Sequence, residues 1–147
     1  MKSPQELHDI AVQKIAGDLF TFPGAEFTPG FFHPAWITYT NVPARQMPVE
    51  HKWEGKIYPD LVIADTARGN VPVVIGEVET RESLNLEESI QMKWRPDMDE
   101  CAILYVFVPE GCGRDAAVMV LDARVIFPTA LFTYGFDDAG NLRLTPV

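Results

Sequence analysis

IYPDLVIADTARGNVPVVIGEVET, residues 57–80, is the stretch on which the reading of the whole chain turns. It holds two short β-branched runs, Leu61 to Ala64 and Val71 to Ile75, separated by Arg68-Gly69-Asn70, which has the composition of a turn. Val and Ile suit a pleated, half-buried surface, so the stretch predicts two adjacent strands joined as a hairpin. Alternate side chains of a strand share a face. Glu77 and Glu79 therefore stand side by side while Val78 points the other way into apolar packing. In an antiparallel pair the start of the first strand lies beside the end of the second, which brings Asp60 to the same end as Glu77 and Glu79. Three carboxylates converging there repel one another unless a cation lies between them, and carboxylate oxygens are the ligands that Mg2+ and Mn2+ prefer.

On the N-terminal side of this hairpin, Ser3 to Phe20 puts Leu7, Ile10, Ala11, Ile15 and Leu19 on one helical stripe. Ser3 is the N-cap, Pro4 takes the first helical position and Glu6 closes a capping box. Phe20 to Pro34, crowded with Pro, Gly and Phe, reads as an ordered but irregular connection, and Ala35 to Val42 as a strand. Pro43 to Gly55 reads as a loop. It carries Arg45, His51, Lys52 and Trp53, with Lys56 just beyond: charges that suit phosphates and a ring that suits a base. A solvated loop with Trp53 tucked inward accounts for the same residues.

On the C-terminal side, Asn85 to Arg95 predicts a helix. Asn85 is its N-cap, Glu88 lies three residues on, Leu86, Ile90, Lys93 and Trp94 form one face, and Pro96 stops it. At about 100° per residue, Lys93 points away from Gln91, so the two do not face one ion. Cys101 to Val108 is a continuous apolar run, as expected of a strand buried on both faces at the centre of a sheet. Arg114 to Arg124 predicts a helix and Val125 to Phe127 a short strand. Ala130 to Phe136 and Leu142 to Val147 form a terminal hairpin around Asp137 to Asn141. The order predicts one α/β domain over residues 1–147, a mixed sheet with helices on both sides.

At 147 residues the chain is long enough for a core without metal or disulfide staples, and Cys101 and Cys112 fit neither a disulfide framework nor a zinc pattern. No apolar run approaches a membrane span, and the first residues lack the apolar region of a signal peptide, so a cytoplasmic location is expected. The net charge of −9 and pI near 4.7 repel a polyanion, which counts against a nucleic-acid partner. One or two divalent ions held by Asp60, Glu77 and Glu79 would cancel up to about four of those charges.

Pro59-Asp60 followed by Glu77-Val78-Glu79, with Glu77 seventeen positions after Asp60, resembles the PD-(D/E)XK nuclease superfamily, with Glu79 in place of the usual Lys. The resemblance covers Tyr58 to about Trp94, and the predicted element order is similar to that family's restriction-endonuclease-like αβββαβ core. It implies that Asp60, Glu77 and the backbone carbonyl of Val78 hold Mg2+ (or Mn2+). Glu79 would then orient or deprotonate a water or bind a second ion. The helix after the acidic strand is implied to supply Gln91 to the site or a Lys to replace the missing one, and the first helix to lend an acid, Glu6 or Asp9. The implied activity is hydrolysis of nucleic-acid phosphodiesters, DNA ahead of RNA, with a homodimer or a partner subunit supplying selectivity. The same loss of Lys occurs in members without activity. Three alternatives therefore stand beside the nuclease: an inactive binding or assembly module, a metal-dependent hydrolase of a small phosphate-containing substrate, and a plain α/β domain whose acids merely end strands. For the inactive module, alanine at Asp60 or Glu77 is expected to leave stability unchanged or raise it.

Overall fold

Ser3 Oγ accepts a hydrogen bond from the Glu6 N–H at 3.1 Å, and the Ser3 N–H donates back to the Glu6 carboxylate at 3.3 Å. This capping box starts the first helix, α1 (Pro4–Leu19), where the sequence places it. The computed structural model describes residues 2–21, 35–101, 103–123 and 128–147. Most of the Phe20 to Pro34 connection and the short strand expected at Val125 to Phe127 lie outside the described residues.

The strands are β1 (Trp36–Thr40), β2 (Val49–His51), β3 (Gly55–Ile57), β4 (Leu61–Asp65), β5 (Val71–Val78), β6 (Leu104–Pro109), β7 (Ala130–Phe136) and β8 (Leu142–Pro146). Six of them form one mixed sheet in the order β1-β4-β5-β6-β7-β8; β2 and β3 pair separately. The sheet is antiparallel from β1 to β5, parallel from β5 to β7, and antiparallel again between β7 and β8, the expected terminal hairpin. The β4–β5 turn is built as its residues demand. Asp65 Oδ1 accepts from the Ala67 N–H, and Gly69 and Asn70 take positive φ angles of 75° and 65°.

Helices cover both faces. On one, Leu61, Ile63, Val74, Val78 and Phe107 pack against Ala11, Val12 and Ile15 of α1. On the other, Val62, Ile75, Leu104, Val106 and Val108 pack under Ile90 and Trp94 and under Ala116 and Val120 of a later helix, α3 (Gly113–Ala123). Side chains such as Ile63, Ile75 and Phe107 are fully buried, each stabilising the fold by about 1.5–3 kcal/mol.

Four expectations need correction. The buried stripe of α1 is Ala11, Val12 and Ile15, while Leu7 is 46% exposed, so the inward face is turned from the one anticipated. Pro43 to Gly55 is not all loop. Val49 and His51 are buried around an exposed Glu50, a strand alternation, and β2 and β3 form a hairpin whose tip holds Trp53 at 77% exposure rather than tucked in. Pro96 does not end the helical segment. A π-helix (Leu86–Trp94) runs directly into α2 (Arg95–Glu100), and Pro96 sits in the first turn of α2, at the change from one helical form to the other. The central strand consequently begins at Leu104, not Cys101, whose N–H closes α2 on the Asp97 carbonyl. Among the described residues, no helix is long and apolar enough to cross a membrane.

Candidate active site

Leu61 is paired with Gly76 across the β4–β5 ladder, which sets Asp60 level with Glu77. Gly76 lets the two strands meet closely there: a Cβ on it would lie 3.0 Å from the Leu61 side chain. The Asp60 N–H donates to Glu77 Oε1 at 3.3 Å, and Asp60 Oδ2 accepts from the Val78 N–H at 2.8 Å. The three acids do gather at one end of the hairpin, and Val78 is buried on the opposite face, as strand periodicity requires.

A cleft of about 370 Å3 opens at this end, between α1 and the π-helix with α2. Asp60, Glu77, Val78, Lys93, Asp97 and His8 are among its lining residues. His8 was not anticipated. Its Nε2 lies 2.9 Å from the Val78 carbonyl oxygen and 3.3 Å from Asp60 Oδ2, while Nδ1 lies 3.0 Å from Asp9 Oδ1. α1 does contribute to the site, then, but through His8 rather than through the carboxylates of Glu6 or Asp9. Glu6 is occupied by the capping box, and Asp9 is a partner of the cleft-lining His8 and Gln5. Burial alone would lower the His8 pKa. Hydrogen bonds and charge from Asp60, with Asp9 and the Val78 carbonyl, outweigh it and raise the pKa to about 9.

Glu79 is fully buried and enclosed by donors. Ser83 Oγ at 2.8 Å, Ser89 Oγ at 3.2 Å and Lys93 Nζ at 3.1 Å reach Oε1, and Trp94 Nε1 at 3.2 Å reaches Oε2. Its carboxylate forms no part of the cleft wall. Lys93 reaches this carboxylate from the next helical segment and pairs with it as its cation. Burial would lower its pKa, but the charges of Glu79 and Glu77 raise it, so it remains protonated. The backbone of Gln91 lies in the same π-helix; its side chain falls outside the described structure.

Asp97, the second unanticipated residue, is 2% exposed and faces Glu77, itself 6% exposed. Burial first, then the charge of Asp97 and the hydrogen bond with it, then the charges of Asp60 and Glu79, push Glu77 well above the usual carboxyl range. For Asp97, burial with the charges of Asp60 and Glu79 outweighs the relief from Glu77 and Lys93 and raises the pKa to about 7. Oδ2 of Asp97 is buried without a hydrogen-bond donor.

In donor chemistry these residues fit a hard divalent ion: carboxylate oxygens, a backbone carbonyl and one buried oxygen lacking a donor. As the side chains stand, internal cations hold part of that set, and among the described residues no three His, Cys, Asp or Glu side chains are arranged to hold a metal. No family model, curated protein or solved structure matches the chain.

Proposed function

We propose that this cleft hydrolyses phosphodiester bonds of nucleic acid with the help of Mg2+ or Mn2+, on a sheet whose β1-β4-β5-β6 portion and flanking helices follow the restriction-endonuclease-like αβββαβ order. The observation that carries the reading is the co-location, in one open cleft, of acids suited to a metal and of two cations, Lys93 and His8, suited to a phosphate. Asp60, Glu77 and the Val78 carbonyl would hold the ion. When bound, it lowers the pKa of a water and neutralises charge developing on the phosphate. The protein's own groups do the rest. Lys93, anchored by Glu79, presents a fixed positive charge to a phosphate oxygen. His8, protonated at neutral pH, balances Asp60 and offers a proton at Nε2. Glu79 serves as the anchor of Lys93 and Trp94, in place of the water-activating task that its motif position implied.

Substrate contact is supported by the β2–β3 hairpin, whose second strand runs through Ile57 and Tyr58 into the cleft wall. Exposed Trp53 carries Lys52 Nζ 4.7 Å from its ring centroid, and Arg45 lies 4.2 Å over the Tyr58 ring. These are a stacking platform and cations leading to the acids.

The test is incubation with labelled single- and double-stranded DNA and RNA in Mn2+ or Mg2+. Cleavage is expected, abolished by chelation and reduced at least about a hundredfold in Glu77→Gln. Absence of cleavage of every one of these substrates in either ion would overturn the reading; turnover of a small phosphodiester without oligonucleotide binding would move it to the smaller substrate class.

One set of contacts favours the inactive module instead: His8 already neutralises Asp60, and Lys93 already neutralises Glu79. Stability of an Asp60 alanine variant does not separate the two readings. Asp60 holds the Val78 N–H, so its loss weakens the fold in either case.

A further inference from the structure

Asp97 lies in the first turn of α2, where an acidic side chain ordinarily earns its place by meeting free backbone N–H groups or solvent. It does neither. Its side chain is turned into the cleft, its Oδ2 is buried without a donor, and its polar neighbour is another carboxyl, that of Glu77. A proton shared between the two carboxyls can bridge one pair of oxygens, but Asp97 Oδ2 stays without a donor, and an unsatisfied buried oxygen is costly to keep. Folding gives no reason to keep it. Asn or Leu at this position of the helix would avoid the penalty, and Lys93, one helical turn back, is already committed to Glu79.

Resting on the reading of the cleft as a divalent-ion site, we infer that Asp97 is a ligand of that ion, facing the strand acid Glu77 from the helical side of the cleft. The ion is then held from two sides. Glu77 comes from the end of β5, and Asp97 from α2, which His51 grips through Asp99 at 2.9 Å and Lys52 through Glu100 at 3.1 Å. Since His51 and Lys52 lie at the tip of the β2–β3 hairpin, the ion, α2 and the surface proposed to meet the substrate form one connected unit. Asp60, which His8 and the Val78 N–H occupy, becomes the lesser contributor among the carboxylates.

Calorimetric titration with Mn2+, without substrate, on the intact chain and on Asp97→Asn tests this, with metal-free thermal unfolding of each as the control for folding. The expected result is saturable binding by the unaltered protein and an affinity at least tenfold weaker in Asp97→Asn, whose metal-free melting temperature is equal or higher. Asp97→Ser, also expected to lose at least tenfold, decides the matter should the Asn variant fail to fold. Mn2+ binding unchanged in either folded variant would overturn the inference and leave the proposed function standing. No Mn2+ binding by the unaltered protein would overturn both.

Discussion

Protons and cations compete for the same few oxygens at this site, so pH is its most direct probe. His8 has a folded-state pKa of about 9 against an ordinary 6.5, which means the folded chain holds that proton more tightly than the unfolded one. Its stabilising effect is complete below about 6.5 and is lost as pH rises through about 9. Asp97, raised to about 7 from 3.8, also binds its proton more tightly when folded, so stability falls as pH climbs between those values. Metal-free stability is therefore expected to decline with rising pH in two limbs. His8→Gln should flatten the upper limb, worth on the order of 1–2 kcal/mol after discounting for solvent screening of the ring, and Asp97→Asn the lower. Urea melts from pH 4 to 10 check this; a profile with no slope between pH 6.5 and 9 would rule out the His8 assignment. Asp60, Glu77 and Glu79 were legible in the sequence because strand periodicity is local and a two-residue spacing fixes a face. His8 was partly legible: positions 8, 11, 12 and 15 form one helical stripe, but Leu7 and Ile10 offered a more apolar alternative a small rotation away, and the decision lay with tertiary packing. Asp97 is hidden in the sequence by Pro96, which reads as a helix stop.

Among the elements, the π-helix and the β2–β3 hairpin are where local reasoning was weakest. A π-helix uses i→i+5 bonds, so the 100° spacing by which the sequence reading sets Lys93 and Gln91 on different sides is not the spacing of this segment. What holds it open is a burial requirement: Ile90 and Trp94 enter the core while Ser89, Lys93 and Trp94 all reach one buried carboxylate. No sequence period announces that arrangement. The hairpin was missed because its strands are three residues each, too short for a pattern to stand out from a Pro-rich loop. Its exposed tip makes a separable prediction. Trp53 contributes little to the core, so Trp53→Ala should change stability by no more than about 0.5 kcal/mol. The same substitution should weaken binding of a single-stranded oligonucleotide by about 1–3 kcal/mol, the worth of one stacked base. Fluorescence anisotropy with a labelled oligonucleotide and the Glu77→Gln variant, which prevents cleavage, measures this; equal affinity with and without Trp53 would detach the hairpin from substrate binding.

At the scale of the whole molecule, a chain of net charge −9 that is proposed to meet a polyanion must do so through a small, local set of cations. Arg45, Lys52 and Lys56 lie on the exposed approach, interleaved with Glu50 and Glu54, and the charges of Arg45 and Lys52 sit beside rings rather than on a broad basic face. That arrangement sets the salt dependence. About three phosphate contacts to a single strand release few counterions, giving a slope of log affinity against log salt of roughly −2, far shallower than for a basic nucleic-acid binder. The field of the remaining acids acts in the opposite sense: added salt screens their repulsion and flattens the slope further. A divalent ion in the cleft should strengthen binding beyond what its ionic strength explains, because it removes negative charge at the point where the phosphate arrives. Anisotropy titrations of Glu79→Gln and the unaltered chain at 50 to 200 mM salt, with Ca2+ present or absent, examine this balance. The unaltered chain is expected to show a slope near −2 or shallower and tighter binding with Ca2+. Glu79→Gln, which frees Lys93 from its buried partner, should bind more tightly than the unaltered chain in the absence of ions and gain less from them. A slope near −6 in the unaltered chain would mean that many more cations meet the nucleic acid than this surface holds, and would move the contact away from the hairpin and cleft.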